Sequence, residues 1–227
     1  VSGISEACEE SGYRVWRDAR DGIEVRFVGR GPAGERDAVL CALEPNAPPV
    51  AWLKQIHSST ALPAAAGACG EGDGLFTEAS GLALAVVTAD CVPVLLAASS
   101  GRIAAAHAGW RGIAGGVLAA TLKAAAGGPE ERWTAWIGPA IGACCYEVGE
   151  EVAEQVVAAS APEVARVGAA GKPHLDLARA VRIQLERLGV REVIEVPACT
   201  RCDSESLWSY RRDGRGAGRN LAYIWRQ

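Results

Sequence analysis

Residues 82–112, LALAVVTADCVPVLLAASSGRIAAAHAGWRG, constrain the fold more than any other stretch of the chain. Two apolar runs dense in Val, Ile, Leu and Ala each deliver a reactive group near the point where the strand-like pattern breaks. Residues 86–89 lead into Asp90 and Cys91, and residues 103–106 lead into His107. Short continuous apolar runs are the pattern of strands buried on both faces, so the stretch predicts two neighbouring buried strands with chemistry mounted at their ends. A third run, residues 50–56, ends the same way at His57.

Between such runs lie segments with helical spacing. Ile113, Val117, Leu118, Leu122 and Ala125 predict one helix over residues 112–126, and Leu177, Val181, Leu185 and Leu188 predict another that Gly189 stops. Strands alternating with helices predict a mixed α/β or α+β core, which 227 residues can bury as a single domain, with the strand order left open. Residues 1–21 read as an N-terminal extension or edge element, residues 13–17 being an edge-strand candidate. The net charge of -4, from 27 acidic against 23 basic residues, argues against wholesale binding to nucleic acid or membranes. With no long apolar run and no basic-then-apolar opening, the expectation is a soluble cytoplasmic protein, a monomer or homo-oligomer, whose eight cysteines stay reduced.

Two imidazoles and a thiolate suit a borderline-soft ion such as zinc, and His57, Cys91 and His107 would leave a fourth position for water or substrate. Their wide spacing matches no local zinc motif, so two other readings stand beside it: ordinary core residues, or a Cys91 nucleophile with His107 as base and Asp90 orienting the ring. Asp73, in a Gly-flanked turn, and Asp90 are candidate catalytic carboxylates, with local backbone hydrogen bonding as the plainer role of each. Arg111 stands just before a predicted helix start and is placed to hold an anion. Arg201, Arg211, Arg212, Arg215 and Arg219 form a second basic group, either anion-binding or solvated. The pairs Cys144, Cys145 and Cys199, Cys202 could combine as a second zinc or disulfide arrangement, but adjacent residues are awkwardly directed, and structural or isolated thiols are the expectation. His174 reads as a surface or helix-start residue, and Trp133 and Trp136 as core or rim.

The segments WLKQIHS, TADCVPVLL, AAAHAGWRG and GPAIGACCYEVGEEV, followed by LDLARAVRIQL, ACTRCDSESLWSYRRDG and GRNLAYIWR, resemble the bacterial YfiH-like family, also called polyphenol oxidase or laccase-domain proteins. The resemblance runs over residues 22–227 and implies a catalytic domain there of mixed α/β YfiH-like fold. It implies that His57, Cys91 and His107 form a metal site, zinc first and copper second, and that Arg111 binds phosphate. The implied activity is purine nucleoside phosphorolysis of adenosine and inosine, extending to S-methyl-5'-thioadenosine, with zinc-dependent adenosine deamination beside it. Its substrates would be a purine nucleoside and inorganic phosphate. The alternatives are a copper-dependent polyphenol oxidoreductase, with a glutamine as axial ligand, and a non-enzymatic zinc-stabilised interaction protein. A conventional multicopper enzyme needs more ligands than three histidines supply. The chain departs from the family pattern in a shortened Gly-rich segment around residues 29–41, in Val181 where Asn is frequent, and in Ala217 where the pattern has Thr.

Overall fold

The structure, a computed structural model, describes residue 4 and residues 8–128 and 131–227. The first strands are β1 (Cys8–Glu10), β2 (Tyr13–Arg20) and β3 (Ile23–Val28), followed by helix α1 (Arg36–Leu43). Then come β4 (Val50–Lys54), β5 (Ala61–Pro63), β6 (Gly67–Glu71), β7 (Gly74–Thr77), β8 (Ala83–Thr88), β9 (Val92–Ala98) and β10 (Ile103–Ala108). Helices α2 (Trp110–Ala114) and α3 (Val117–Ala125) precede β11 (Trp133–Ile137) and α4 (Glu150–Ala159). The chain closes with β12 (Ala165–Val167), β13 (Pro173–Leu175), α5 (Leu177–Arg187), β14 (Glu192–Glu195), α6 (Tyr210–Asp213) and β15 (Asn220–Arg226).

These strands make a seven-stranded sheet of order β1-β2-β3-β15-β8-β4-β6, a six-stranded sheet of order β14-β11-β9-β10-β7-β5, and the small pair β12-β13. Side-chain parity explains how the two large sheets stack. Along β9, Val94 and Leu96 face the helices while Leu95 and Ala97 face the other sheet. On β8, Leu84 and Val86 join that intersheet core with Phe27, Trp136 and Ile224, whereas Ala83 and Ala85 pack outward beneath α1. The result is a single mixed α/β domain in four layers: α1, the seven-stranded sheet, the six-stranded sheet, and α2 to α5. The central strands β8, β9 and β10 are buried on both faces, which is why they read as unbroken apolar runs rather than alternating ones. No helix among the described residues is long and apolar enough to cross a membrane.

Two expectations change. The runs that end at Cys91 and at His107 are not side-by-side neighbours, because β8 pairs with β15 and β4 whereas β10 pairs with β7 and β9. The bend at 89–91 carries the chain from one sheet to the other, and Asp90 turns that corner at φ 96. The helix expected over 112–126 is broken by Gly115 and Gly116, the latter at φ 79, so α2 and α3 are separate. A Cβ at Gly116 would meet no neighbour within 4 Å, which leaves backbone strain as the only penalty. Gly116→Ala is therefore expected to lower stability by about 1 kcal/mol in urea unfolding, with no steric loss.

Candidate functional site

The site is assembled around Asp73, in the turn between β6 and β7, whose side chain is completely buried. Its carboxylate accepts hydrogen bonds from the backbone N–H of Ile56 at 3.3 Å, His57 at 3.1 Å and Ser58 at 2.5 Å, and from the Ser58 hydroxyl at 2.8 Å. It also meets His107 Nδ1 at 2.8 Å, while its own carbonyl accepts the His107 N–H at 2.8 Å. One carboxylate thus ties the exit of β4 to β10 and holds His57 at φ 60, a left-handed conformation that a β-carbon disfavours.

His107 shares the parity of Ile103 and Ala105, so it faces the intersheet space at the end of β10. Its ring lies 4.9 Å from that of His57, edge-on at 77°, and the Cys91 thiol is 4.0 Å from His57 Nε2. One ligand atom from each of His57, Cys91 and His107 lies within 4.8 Å of the others. A tetrahedral zinc with ordinary Zn–N and Zn–S bonds would separate such atoms by about 3.5 Å, a small closure from this arrangement. Gly109 keeps the space open, since a Cβ there would stand 3.0 Å from both the Cys91 sulfur and His57 Cδ2.

The electrostatics set an anionic sulfur beside a protonated imidazole. Burial pushes the Asp73 carboxyl up, but the bonds from His107 and Ser58 prevail and hold it at about 2. Burial likewise opposes charge on His107, yet Asp73 and Cys91 raise it to about 9. Cys91 is pushed up by burial and brought down to about 7 by His107 and His57, so much of it is thiolate at neutral pH. With Nδ1 turned to Asp73, the nitrogen His107 could offer an ion is Nε2, once that nitrogen loses its proton, and a carboxylate that fixes the imidazole in this way is the usual support of a liganding histidine.

Asp90 does different work. Its carboxylate accepts from the Thr200 hydroxyl and from the Arg211 N–H, both at 2.6 Å, and its carbonyl accepts from the Ile141 N–H at 2.9 Å. It pins three chain segments around a pocket of about 500 Å³ that His57, Cys91 and His107 line. Arg111, Arg211 and Arg219 share that lining. Arg111, stacked 4.3 Å from the Trp110 ring centroid, is the second residue of α2. Arg211 lies 5.1 Å over Tyr146 and donates to the Glu147 carbonyl at 2.8 Å. The rest of the basic group separates from it: Arg212 is taken up by Thr200, Arg201, Leu207 and Asp213, and Arg201 and Arg215 are exposed. A larger cavity of about 900 Å³, beside Arg20, Trp133 and Arg226, has no His or Cys in its lining.

Sequence reasoning passed over Thr88, Tyr146 and Tyr210 in the pocket. The Thr88 hydroxyl is buried there with no hydrogen-bond partner, and its place in the TADC motif was the available signal. Gln55 also lines the pocket, its amide donating to the carbonyl of Val87 at 2.7 Å and accepting from the Val87 N–H at 2.8 Å. The four cysteines, expected as structural or isolated thiols, are not isolated: Cys144, Cys145, Cys199 and Cys202 lie with their sulfurs within 4.8 Å of one another. Trp136 is core, its indole N–H donating to Asp18 at 2.8 Å.

Residues 33–227 match the family described as Multi-copper polyphenol oxidoreductase laccase. The chain is 44% identical over 183 residues to the purine nucleoside phosphorylase SCO2081 of Streptomyces coelicolor, covering 78% of this chain and 74% of that protein. It is 39% identical over 178 residues to the purine nucleoside phosphorylase YfiH of Escherichia coli, covering 77% of this chain and 72% of that one. The chain belongs to the YfiH-like family. Its fold is that of a solved YfiH-like structure, the Neisseria meningitidis protein NMB0706, with a TM-score of 0.81 and 33% identity over 95% of this chain and 99% of that one. The family match starts within the segment before α1, so β1 to β3 lie outside it although they belong to the same sheet.

Proposed function

We propose that this YfiH-like chain is a purine nucleoside phosphorylase that cleaves adenosine and inosine, and S-methyl-5'-thioadenosine by the same chemistry. The observation that carries the reading is the pocket of about 500 Å³, which sets a His-Cys-His donor group and three arginines around one space of nucleoside size. Phosphate held by Arg111, with Arg211 and Arg219, attacks the anomeric carbon of the ribose as its bond to the purine nitrogen breaks; that nitrogen takes a proton from water or from the phosphate itself, giving the free base and ribose 1-phosphate, or the 5-methylthio sugar phosphate from the thio-nucleoside. The guanidinium groups neutralise and orient the nucleophile. The buried, unpartnered Thr88 hydroxyl is the group left to meet a nucleoside polar atom. Asp73 and Asp90 enter as positioning residues, since the oxygens of each are already occupied by donors from the protein. Zinc held by His57, Cys91 and His107 would supply Lewis acidity beside the substrate.

Metal-defined protein incubated with adenosine, with and without phosphate, tests this. Adenine and ribose 1-phosphate are expected from adenosine only with phosphate; absence of any phosphate-dependent free base and sugar 1-phosphate from adenosine, inosine and the thio-nucleoside alike defeats the reading. Arg111→Ala is expected to raise the KM for phosphate roughly 10- to 100-fold, the loss of one charge-assisted hydrogen-bonding group, with zinc content unchanged. A KM that stays at the wild-type value would remove Arg111 from the phosphate site.

Adenosine deamination is the second reading, favoured by the three-donor set, which leaves one tetrahedral position open. Inosine and ammonia formed without phosphate in the same assay are its signature. Copper fits less well, because a type-one centre calls for a weak axial donor and Gln55, the glutamine of the pocket, has its amide committed to Val87.

A further inference from the structure

The cysteine quartet lies outside the His-Cys-His site and takes no part in the chemistry above. Its sulfurs make a compact figure: Cys144 to Cys199 is 3.5 Å, Cys144 to Cys202 is 3.6 Å and Cys145 to Cys202 is 3.3 Å. Bonded disulfide sulfurs stand about 2.05 Å apart, and the eight cysteines of the chain are unpaired thiols. Four thiolates on a tetrahedral zinc, each at about 2.3 Å, would be about 3.8 Å from one another, close to the spacing seen here.

The backbone is built to hold the four together. The turn at 143–145 closes with Cys145 N–H and Tyr146 N–H both donating to the Gly142 carbonyl, at 2.9 and 3.0 Å. In a helical turn consecutive side chains diverge by only about 100°, which lets two adjacent cysteines reach a common point and removes the objection raised by their adjacency. The second loop is stitched to the first by Ala140 N–H to the Ala198 carbonyl at 3.3 Å and Thr200 N–H to the Ala140 carbonyl at 3.0 Å. The Gly142 N–H donates to the Cys199 sulfur at 3.2 Å, and any Cβ at Gly142 would crowd Cys144 and Cys199. His174, on β13, braces the first loop through Nδ1 to the Ala143 carbonyl at 2.8 Å. Backbone N–H donors to sulfur and braced ligand loops are the outer supports that metal thiolates use.

We propose that Cys144, Cys145, Cys199 and Cys202 form a second metal site, a tetrathiolate for zinc that staples together the two loops walling the pocket. Binding expels the thiol protons to solvent as four sulfur–zinc bonds form, with no change of oxidation state. The consequence for the pocket is direct. Tyr146 follows Cys145 in the chain and lines the pocket, and Thr200, between Cys199 and Cys202, is the residue whose hydroxyl binds Asp90.

The test uses the full chain, reduced and stripped of metal, then loaded with zinc alone. Two equivalents are expected, falling to one in Cys144→Ser/Cys202→Ser and to one in His57→Ala/His107→Ala, so the two sites fail separately. In the latter variant, added zinc is expected to raise the thermal midpoint. Should the serine variant not fold, the wild-type protein still answers: zinc is expected to slow alkylation of the four thiols roughly tenfold or more relative to exposed Cys41, and a chelator to abolish the difference. The proposal is overturned by full zinc content in the serine variant, by alkylation of the four at the rate of Cys41 with zinc in excess, or by a disulfide among them in the reduced, zinc-treated protein.

Discussion

His107→Ala is expected to lose the zinc held at the His57 and Cys91 site and to reduce phosphorolysis by roughly 100-fold or more, since even residues that merely orient a metal ligand are worth 10- to 100-fold. The three donors come from separate parts of the fold: the exit of β4, the intersheet bend and the last turn of β10. Removing the most rigidly mounted of them leaves two groups with no element in common. The same substitution strips the buried Asp73 carboxylate of its charged partner, so stability is expected to fall by about 3 kcal/mol, which urea unfolding would read. Cys91→Ser separates chemistry from folding, because it removes a thiolate ligand while leaving the Asp73 network in place. Metal analysis and product assay together decide between an anchoring and a nucleophilic cysteine. If metal-free protein turned over at the full rate and lost activity only when Cys91 was alkylated, covalent catalysis would replace the metal reading.

The parts of this site that could be read from the sequence are those in which a reactive residue closes an apolar run. His57, Cys91 and His107 each do so, and burial on both faces makes the runs conspicuous. Sheet membership was hidden, because a bend of three residues looks alike whether it joins two strands of one sheet or carries the chain between stacked sheets; Asp90 at φ 96 is the residue that makes the crossing. The role of Asp73 was hidden for a different reason. Its partners are mostly backbone N–H groups of residues 56–58, and a backbone donor leaves no trace in residue identity. The cysteine quartet was obscured by the adjacency of Cys144 and Cys145, which a strand would send to opposite faces but the turn at 143–145 does not. Two glycines hid the break between α2 and α3, since an apolar face at helical spacing continues across Gly115 and Gly116 while the backbone turns left-handed at the second.

Asp73→Asn changes few atoms and is expected to have the other large effect. An amide offers one oxygen where the carboxylate offers two, so its NH2 would stand donor against donor either with the N–H groups of Ile56 and Ser58, at the Oδ2 position, or with the His57 N–H and His107 Nδ1, at the Oδ1 position. The first orientation unties the segment that holds His57 left-handed, and the second takes the acceptor from both the His57 N–H and His107 Nδ1. Zinc affinity is expected to fall roughly 10- to 100-fold. In the metal-free protein the pH dependence gives the variant a distinct signature. The native carboxyl sits at about 2, below its ordinary 3.8, so its stabilisation, about 2 kcal/mol, is complete above pH 3.8 and disappears as pH falls through 2. His107 moves the other way, from 6.5 to about 9 under Asp73 and Cys91 together, so the share that Asp73 contributes is complete below pH 6.5 and is lost as pH rises toward 9. The wild-type advantage over Asp73→Asn in urea unfolding of chelator-treated protein is therefore expected to form a plateau between about pH 4 and 6.5, declining on both sides. An advantage that did not vary with pH would mean that Asp73 acts through shape and backbone contacts alone, and that the ion pair with His107 contributes nothing to holding the site.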